Sequence, residues 1–287
     1  MSVTREAVSI HPTYLTVLTK NMDMKVYKRH AHLNDNLIRD NQYNGFLSPA
    51  TAKKVQRLVG HFCNSTSYTE SMQSIAKSSE RYYINFITLT LSSKQAHSDN
   101  HIKKEMLARF IDQIKKDHRI SQYIWRAEKQ KNGNLHFHIL TNKFIHHSTV
   151  RGLWNKIQET NGYLKPFQEK HGHNNPNSTD IHSVRKVRNT LKYISKYITK
   201  TDNDSPVKGR IWGCSKSFHL LRSPGKILNN MELDKLAMLV KNKVFKVIRE
   251  EFYDIILFNK LSELKRHLRS LYDHYIQCMQ YYELVPL

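Results

Sequence analysis

Residues 128–140, Glu-Lys-Gln-Lys-Asn-Gly-Asn-Leu-His-Phe-His-Ile-Leu, constrain the fold more tightly than any other stretch of the chain. An Asn-Gly pair between segments that alternate in polarity marks a turn joining two antiparallel strands. Side chains alternate between the two faces of a strand, so His136 and His138 project together while Phe137 and Ile139 enter the other side. The turn length decides whether Glu128 joins the histidines. A two-residue Asn132-Gly133 turn pairs Glu128 with Phe137 and sends the carboxylate to the wrong face. A three-residue Lys131-Asn132-Gly133 loop, with Gly133 left-handed in a bulge, pairs Glu128 with His136. Glycine suits that position, so the expected register gathers Glu128, His136 and His138. Two imidazoles and one carboxylate form a metal site with positions left open for substrate.

A His-x-His pair alone is weak in a chain of 17 histidines, where most such pairs are ordinary residues of a half-buried strand. A second constellation adds weight. Asn189-Thr-Leu-Lys-Tyr-Ile-Ser-Lys-Tyr-Ile-Thr-Lys200 reads as a helix with a buried stripe of Leu191, Ile194 and Ile198. Tyr193 and Tyr197 stack one turn apart beside it, and Lys192, Lys196 and Lys200 form a parallel row. A phenol with a pKa near ~10 is a poor nucleophile unless a metal polarises the electrophile and cations stabilise the phenolate. Without the hairpin upstream, these tyrosines read as packing residues of a basic helix.

Charge identifies the partner class. The 46 Lys and Arg against 24 Asp and Glu leave +22, and 15 tyrosines supply stacking surfaces, which together point to nucleic acid. Anionic membrane surfaces are the lesser alternative, since no amphipathic anchor or lipidation motif is evident. No apolar run reaches bilayer-spanning length and the amino terminus lacks a secretory layout, so the expected location is the cytoplasm. Cys63, Cys214 and Cys278 are isolated and read as reduced thiols.

Three segments follow from composition: a basic extension over residues 1–78, a catalytic domain over 79–226 and a helical region over 227–287. In the first, Ser48 caps a helix from Pro49 to His61. The aromatic and β-branched run from Tyr82 to Ser92 is a central strand with Thr88, Thr90 and Ser92 on one face, where the hydroxyls meet phosphate or line a polar sheet surface. A helix over 100–118 follows, its core stripe being Ile102, Met106, Phe110 and Ile114. The hairpin strands span 121–129 and 134–141, and a helix capped by Ser148 runs to Thr160. Residues 161–179 read as a long surface loop, so its His171 and His173 are not a second metal site. A short strand covers 180–184, and its His182 approaches the metal only if that strand neighbours the hairpin. Residues 208–216 form an edge strand with close backbone approach at Gly213, and Arg210 and Lys216 are expected phosphate contacts. Leu261, Leu264, Leu268, Leu271 and Tyr275 form a helical stripe in the last segment.

Phe86-Ile-Thr-Leu-Thr90, the His136-Phe-His138 strand with its upstream glutamate, and Tyr193-x-x-Lys196-Tyr197-x-x-Lys200 together resemble the three ordered motifs of rolling-circle replication initiators of the HUH endonuclease superfamily. The paired tyrosines are most similar to the two-tyrosine initiators of small single-stranded DNA phages and plasmids, and to Helitron-type transposases. The resemblance covers roughly residues 82–216. It implies an α+β fold, a central antiparallel sheet flanked by helices in the RNA-recognition and ferredoxin-like manner, with a helical C-terminal extension. It also implies that His136, His138 and Glu128 bind Mg2+ or Mn2+, that Tyr193 and Tyr197 are nucleophiles supported by Lys196 and Lys200, and that either tyrosine cuts first. Thr88, Thr90, Lys192, Arg210 and Lys216 are the expected DNA contacts. The implied activity is nicking and rejoining of single-stranded DNA at a replication origin in a bacterial host cell. With no nucleotide-driven motor motif in the sequence, a host helicase and polymerase are the expected partners. A transposase of the same chemistry and a non-catalytic nucleic-acid-binding protein are the alternatives.

Overall fold

The computed structural model describes residues 4–21, 44–77, 82–183, 198, 206–249, 253–258 and 260–287 of the 287. It is an α+β protein with two five-stranded antiparallel sheets, as the sequence led us to expect of the fold class. Among the described residues no helix is long and apolar enough to cross a membrane.

The chain divides into two compact units that do not follow sequence order. One joins residues 1–43 to 222–281. Its strands are β1 (Thr4–Ile10), β2 (Tyr14–Asn21), β8 (Gly225–Ile227), β9 (Lys246–Arg249) and β10 (Asp254–Leu257), in the order β8-β1-β2-β10-β9. Its helices are α6 (Asn230–Lys241), α7 (Leu261–His267) and α8 (Arg269–Tyr281). The stripe expected in the last segment is here: Leu264, Leu268, Leu271 and Tyr275 are buried. The N-terminal and C-terminal segments therefore build one sheet together, and two strands interrupt the helices of the last sixty residues.

The other unit holds residues 44–221 and 282–287. Its strands are β3 (Tyr82–Leu89), β4 (Tyr123–Lys129), β5 (Leu135–Lys143), β6 (Thr179–Ser183) and β7 (Trp212–Cys214), in the order β6-β3-β5-β4-β7. The histidine strand β5 is central. Helix α1 (Pro49–Ile75) begins as expected, with Pro49 in the first turn and the Ser48 hydroxyl accepting from the Thr51 amide. It runs past the expected end at His61 because its polar residues are satisfied within the helix. Ser65 donates to the Phe62 carbonyl and Thr69 to that of Ser65.

Helix α2 comes in three parts: Asp99–His101, a π-helical turn Ile102–Leu107, and Ala108–His118. Its expected stripe of Ile102, Met106, Phe110 and Ile114 is fully buried. These side chains join Ile87, Leu89, Phe137 and Ile139 from one sheet face, and Val150, Trp154 and Ile157 of helix α3 (His147–Thr160), in one core. Each such side chain removed from water contributes roughly 1.5–3 kcal/mol, so this face of the sheet is committed to packing, while the other carries the histidines beside buried Phe86, Ile124 and Leu140. The cap of α3 is His146 rather than the expected Ser148, the imidazole Nδ1 accepting from the Ser148 amide at 3.4 Å. Residues 161–179 are not a continuous loop. They contain helix α4 (Leu164–His171), which Gly172 closes at φ +75°. Pro166 is tolerated because it lies in the first turn, where no helical hydrogen bond is lost. Helix α5 (Lys216–Leu220) follows β7.

Candidate metal centre

The hairpin adopts the three-residue register. Glu128 pairs with His136 and Arg126 with His138, while Gln130 and Asn134 close the turn and Gly133 sits at φ +82°. The loop conformation alone places the carboxylate on the imidazole face.

Glu128, His136 and His138 offer ligand atoms that all lie within 4.8 Å of one another. Glu128 Oε1 is 3.0 Å from His138 Nε2 and 4.0 Å from His136 Nε2. On the neighbouring strand Thr88 stands opposite His138, with its Oγ1 3.2 Å from His138 Nδ1. The Phe86 ring stacks on the same imidazole at 5.2 Å. His138 is thus held from three sides with Nε2 turned to the carboxylate, the way an imidazole ligand is oriented by its outer neighbours.

His136 tests whether this cluster suits a cation. Its side chain is only 12% exposed, and its Nδ1 is buried with no hydrogen-bond partner among the described residues. Burial, helped by the neighbouring His138 and opposed by Glu128, pushes the ring's pKa down to about 4, so the imidazole is neutral at physiological pH. A neutral, buried, under-bonded imidazole beside another imidazole and a carboxylate is a ligand set ready for a divalent metal. The residues therefore fit the metal that the resemblance implies.

The alternation also puts Arg126 on this face, two residues before Glu128 and directly across from His138. It is only 4% exposed. Sequence reasoning passed over it as one of many basic residues, although the alternation that placed Glu128 places Arg126 too.

The other expected residues divide. Thr88 serves His138. The Thr90 hydroxyl donates to the Ser178 carbonyl at 2.9 Å, tying the end of β3 to the segment before β6. Arg210 lies over the Trp125 ring at 5.9 Å and donates to the Trp212 carbonyl. Trp125 alternates with Arg126 and packs in the helix-covered core, so Arg210 is on the side away from the histidines. Lys216 is exposed at the start of α5. The close approach at Gly213 is real: a Cβ there would meet the Trp125 indole at 2.6 Å. His182 lies on β6, which pairs with β3 rather than with the hairpin, and its Nε2 is 2.6 Å from Asp180 Oδ2. His171 and His173 are exposed. Lys192, Tyr193, Lys196, Tyr197 and Lys200 lie outside the described residues, and the neighbouring Ile198 of their expected stripe is fully buried.

Beneath the turn, a second polar cluster was not foreseen. Lys129 Nζ lies 2.6 Å from Asp99 Oδ1, Gln95 donates to the same oxygen, and the Lys208 amide donates to Asp99 Oδ2. Lys103, from the π-helical turn, donates to the carbonyls of Lys208 and Arg210. These bonds fasten the chain entering β7 to helix α2.

Residues 84–202 match the model of a family described as replication-associated protein ORF2. That span begins in β3, contains the whole hairpin and includes the Tyr193–Lys200 segment. The match covers less than half of the chain and supports its reading as a replication-initiator-like protein. The chain is also similar to a solved structure, the hypothetical protein ORF119 from Sulfolobus islandicus rod-shaped virus 1. The identity is 19%, over 54% of this chain and 98% of that one, with a TM-score of 0.29. No curated protein matches the chain significantly.

Proposed function

We propose that this protein is a metal-dependent endonuclease and strand transferase that initiates replication by nicking single-stranded DNA through a tyrosine. The observation that carries this reading is the convergence of Glu128, His136 and His138 on one face of the central hairpin, within the span similar to replication-associated proteins. A divalent cation, Mg2+ or Mn2+, held by those three residues supplies Lewis-acid polarisation of the scissile phosphodiester.

The chain supplies the remaining parts. The phenolic oxygen of Tyr193 or Tyr197 gives up its proton and attacks phosphorus in line. The P–O3′ bond breaks, and the departing O3′ takes up a proton to become the hydroxyl that primes synthesis. The 5′ phosphate remains esterified to the tyrosine, so the bond is exchanged rather than hydrolysed. Attack by a 3′-hydroxyl reverses the step and reseals the strand. Lys196 and Lys200 stabilise the phenolate and Lys192 the DNA backbone, while the second tyrosine accepts the next strand. The target strand is unpaired, since a base-paired duplex holds its backbone away from such a site. A host helicase and polymerase complete the cycle.

The test is covalent capture. The protein is incubated with pooled single-stranded oligonucleotides and Mn2+ or Mg2+, and an adduct stable in SDS is sought and mapped by peptide mass. The expected adduct sits on Tyr193 or Tyr197, disappears with EDTA, and is lost in the Tyr193→Phe/Tyr197→Phe double variant while DNA affinity stays within about twofold. Absence of any adduct with either metal, or its persistence in the double variant, refutes the proposal. DNA binding without cleavage would identify a binding module instead.

A further inference from the structure

On the helix-covered side of the sheet, away from the histidines, helix α2, strand β4 and the chain entering β7 enclose a cavity of about 450 Å3, a size suited to a small ligand. Its apolar wall is Leu107 and Ile111 of α2 with Tyr123 and Trp125 of β4. Arg210 closes one side and is held in place there. Its carbonyl accepts from Lys103 Nζ at 3.0 Å, its Nε donates to the Trp212 carbonyl at 2.8 Å, and its guanidinium carbon lies 5.9 Å from the centre of the Trp125 ring. Its two terminal nitrogens have no partner among the described residues. A guanidinium fixed through Nε, with both Nη groups unspent, is a fork for two oxygens of one anion. Lys104 lines the same cavity, is exposed and also has no partner among the described residues, so it adds a second positive charge. The opposing charge is Asp112, which is exposed and lies 3.7 Å from Lys115. The rim therefore stays positive.

The apolar wall selects among anions. Inorganic phosphate or a bare carboxylate would leave that wall in water. A nucleotide matches both halves, its phosphate on the fork and its base against the Tyr123 ring and the aliphatic surface. A base is free to enter only when unpaired. We infer that this cavity holds one unpaired nucleotide of a DNA strand, on the opposite side of the sheet from the candidate metal centre, a conclusion that rests on the proposed function only for single-stranded DNA as the partner and not on the metal. Strand β7 is the edge of the sheet, two strand spacings or about 10 Å from β5. DNA crossing the histidine face reaches the cavity by turning round that edge, and gains there a second hold that neither cation nor tyrosine supplies.

The test is a fluorescence-polarisation titration of the full chain with a labelled oligothymidine and with an abasic strand of equal length and charge, both in EDTA so that no metal contributes. The parent protein should favour oligothymidine. Tyr123→Leu keeps apolar bulk and removes the ring, so it should weaken oligothymidine binding about fivefold or more while leaving the abasic strand within about twofold of the parent. Arg210→Met should weaken both strands and lower the salt slope by about 0.7. Arg210→Lys should restore that slope but only part of the affinity, because an ammonium cannot form the fork. Circular dichroism confirms that each variant is folded. A Tyr123→Leu variant that weakens both strands equally, or neither, would overturn the inference, and so would an unchanged salt slope in Arg210→Met. Displacement of oligothymidine by an equal concentration of thymidine 5′-monophosphate would make the cavity a site for free nucleotides and overturn the strand assignment. If the parent binds no single strand at all, this inference and the proposed function fall together. If the parent forms the tyrosine adduct while Tyr123→Leu and Arg210→Met bind DNA unchanged, only this inference fails. If no adduct forms but the expected shifts appear, the nicking reading fails and the nucleotide site stands.

Discussion

Replacing Thr88 by valine removes one hydroxyl and almost nothing else. Valine has nearly the same shape, keeps the β-branch that suits a strand and leaves the β3–β5 pairing intact. What is lost is the contact between Thr88 Oγ1 and His138 Nδ1 at 3.2 Å. When His138 Nε2 is a metal ligand, Nδ1 carries the proton and donates to the threonine oxygen. In the variant that N–H loses the threonine oxygen, beside the Phe86 ring and on an imidazole that is 7% exposed. Removing the acceptor of a buried donor costs about 1–3 kcal/mol. Most of that cost falls on the bound state, since without metal the proton can sit on Nε2, which already faces Glu128 Oε1 at 3.0 Å. Thr88→Val should therefore weaken Mn2+ binding by about 10- to 100-fold, the range expected of an outer-shell partner. Thr88→Ser, which keeps the oxygen, should recover most of it. The assay is a Mn2+ titration followed by EPR or calorimetry. DNA affinity in EDTA serves as the control and should not change, because the hydroxyl is directed to the imidazole. Mn2+ affinity within twofold of the parent in Thr88→Val, or equal losses in the valine and serine variants, would refute the orienting role.

Three further outcomes follow from the geometry. His136 takes up a proton near pH 6.5 when unfolded but only near pH 4 when folded, so in EDTA stability is at its full value above that window and falls as pH drops through it; denaturant melts against pH should lose about 3 kcal/mol there, and His136→Gln should flatten the slope. Lys129→Met removes the ion-pair partner of the buried Asp99 carboxylate, leaving it the Gln95 and Lys208 hydrogen bonds, and should lower unfolding free energy by about 3 kcal/mol in urea melts, whereas the Asp99→Asn/Lys129→Met pair should lose less than the single variants combined; strict additivity would contradict a coupled pair. Gly213→Ala drives a methyl to 2.6 Å from the Trp125 indole and should cost about 1–3 kcal/mol with a changed tryptophan emission, so an unperturbed Tm would show that β7 has room to shift.

What could be read from the chain, and what could not, separates by the range of the interaction that decides it. The register joining Glu128 to His136 was legible because a single left-handed glycine within the turn fixes it. The start of α1 was legible for the same reason, since Ser48 and Pro49 act within one turn. The core stripe of α2 repeats within one helix, so periodicity was enough. The misreadings were also local, but they involved residues with unusual roles. Histidine is a rare cap, so His146 hid behind Ser148, and Pro166 and Gly172 look like loop breakers unless their places in the first turn and past the last are known. Pairing between distant segments was beyond sequence reading. β1 meets β8 across more than two hundred residues, and Asp99 receives the Lys208 amide across 109 residues of sequence. The candidate centre lies between these limits. Its three candidate ligands come from one hairpin, and their convergence was foreseen, whereas Thr88 enters from a strand fifty residues upstream and its contact with the imidazole was not. Arg126 differs again, because its place follows from the alternation that placed Glu128, yet its consequence depends on burial. A guanidinium in water is a screened surface charge, whereas this one is 4% exposed. Alternation therefore gives the face on which a side chain lies, while its burial depends on what packs over that face and could come only from the folded chain.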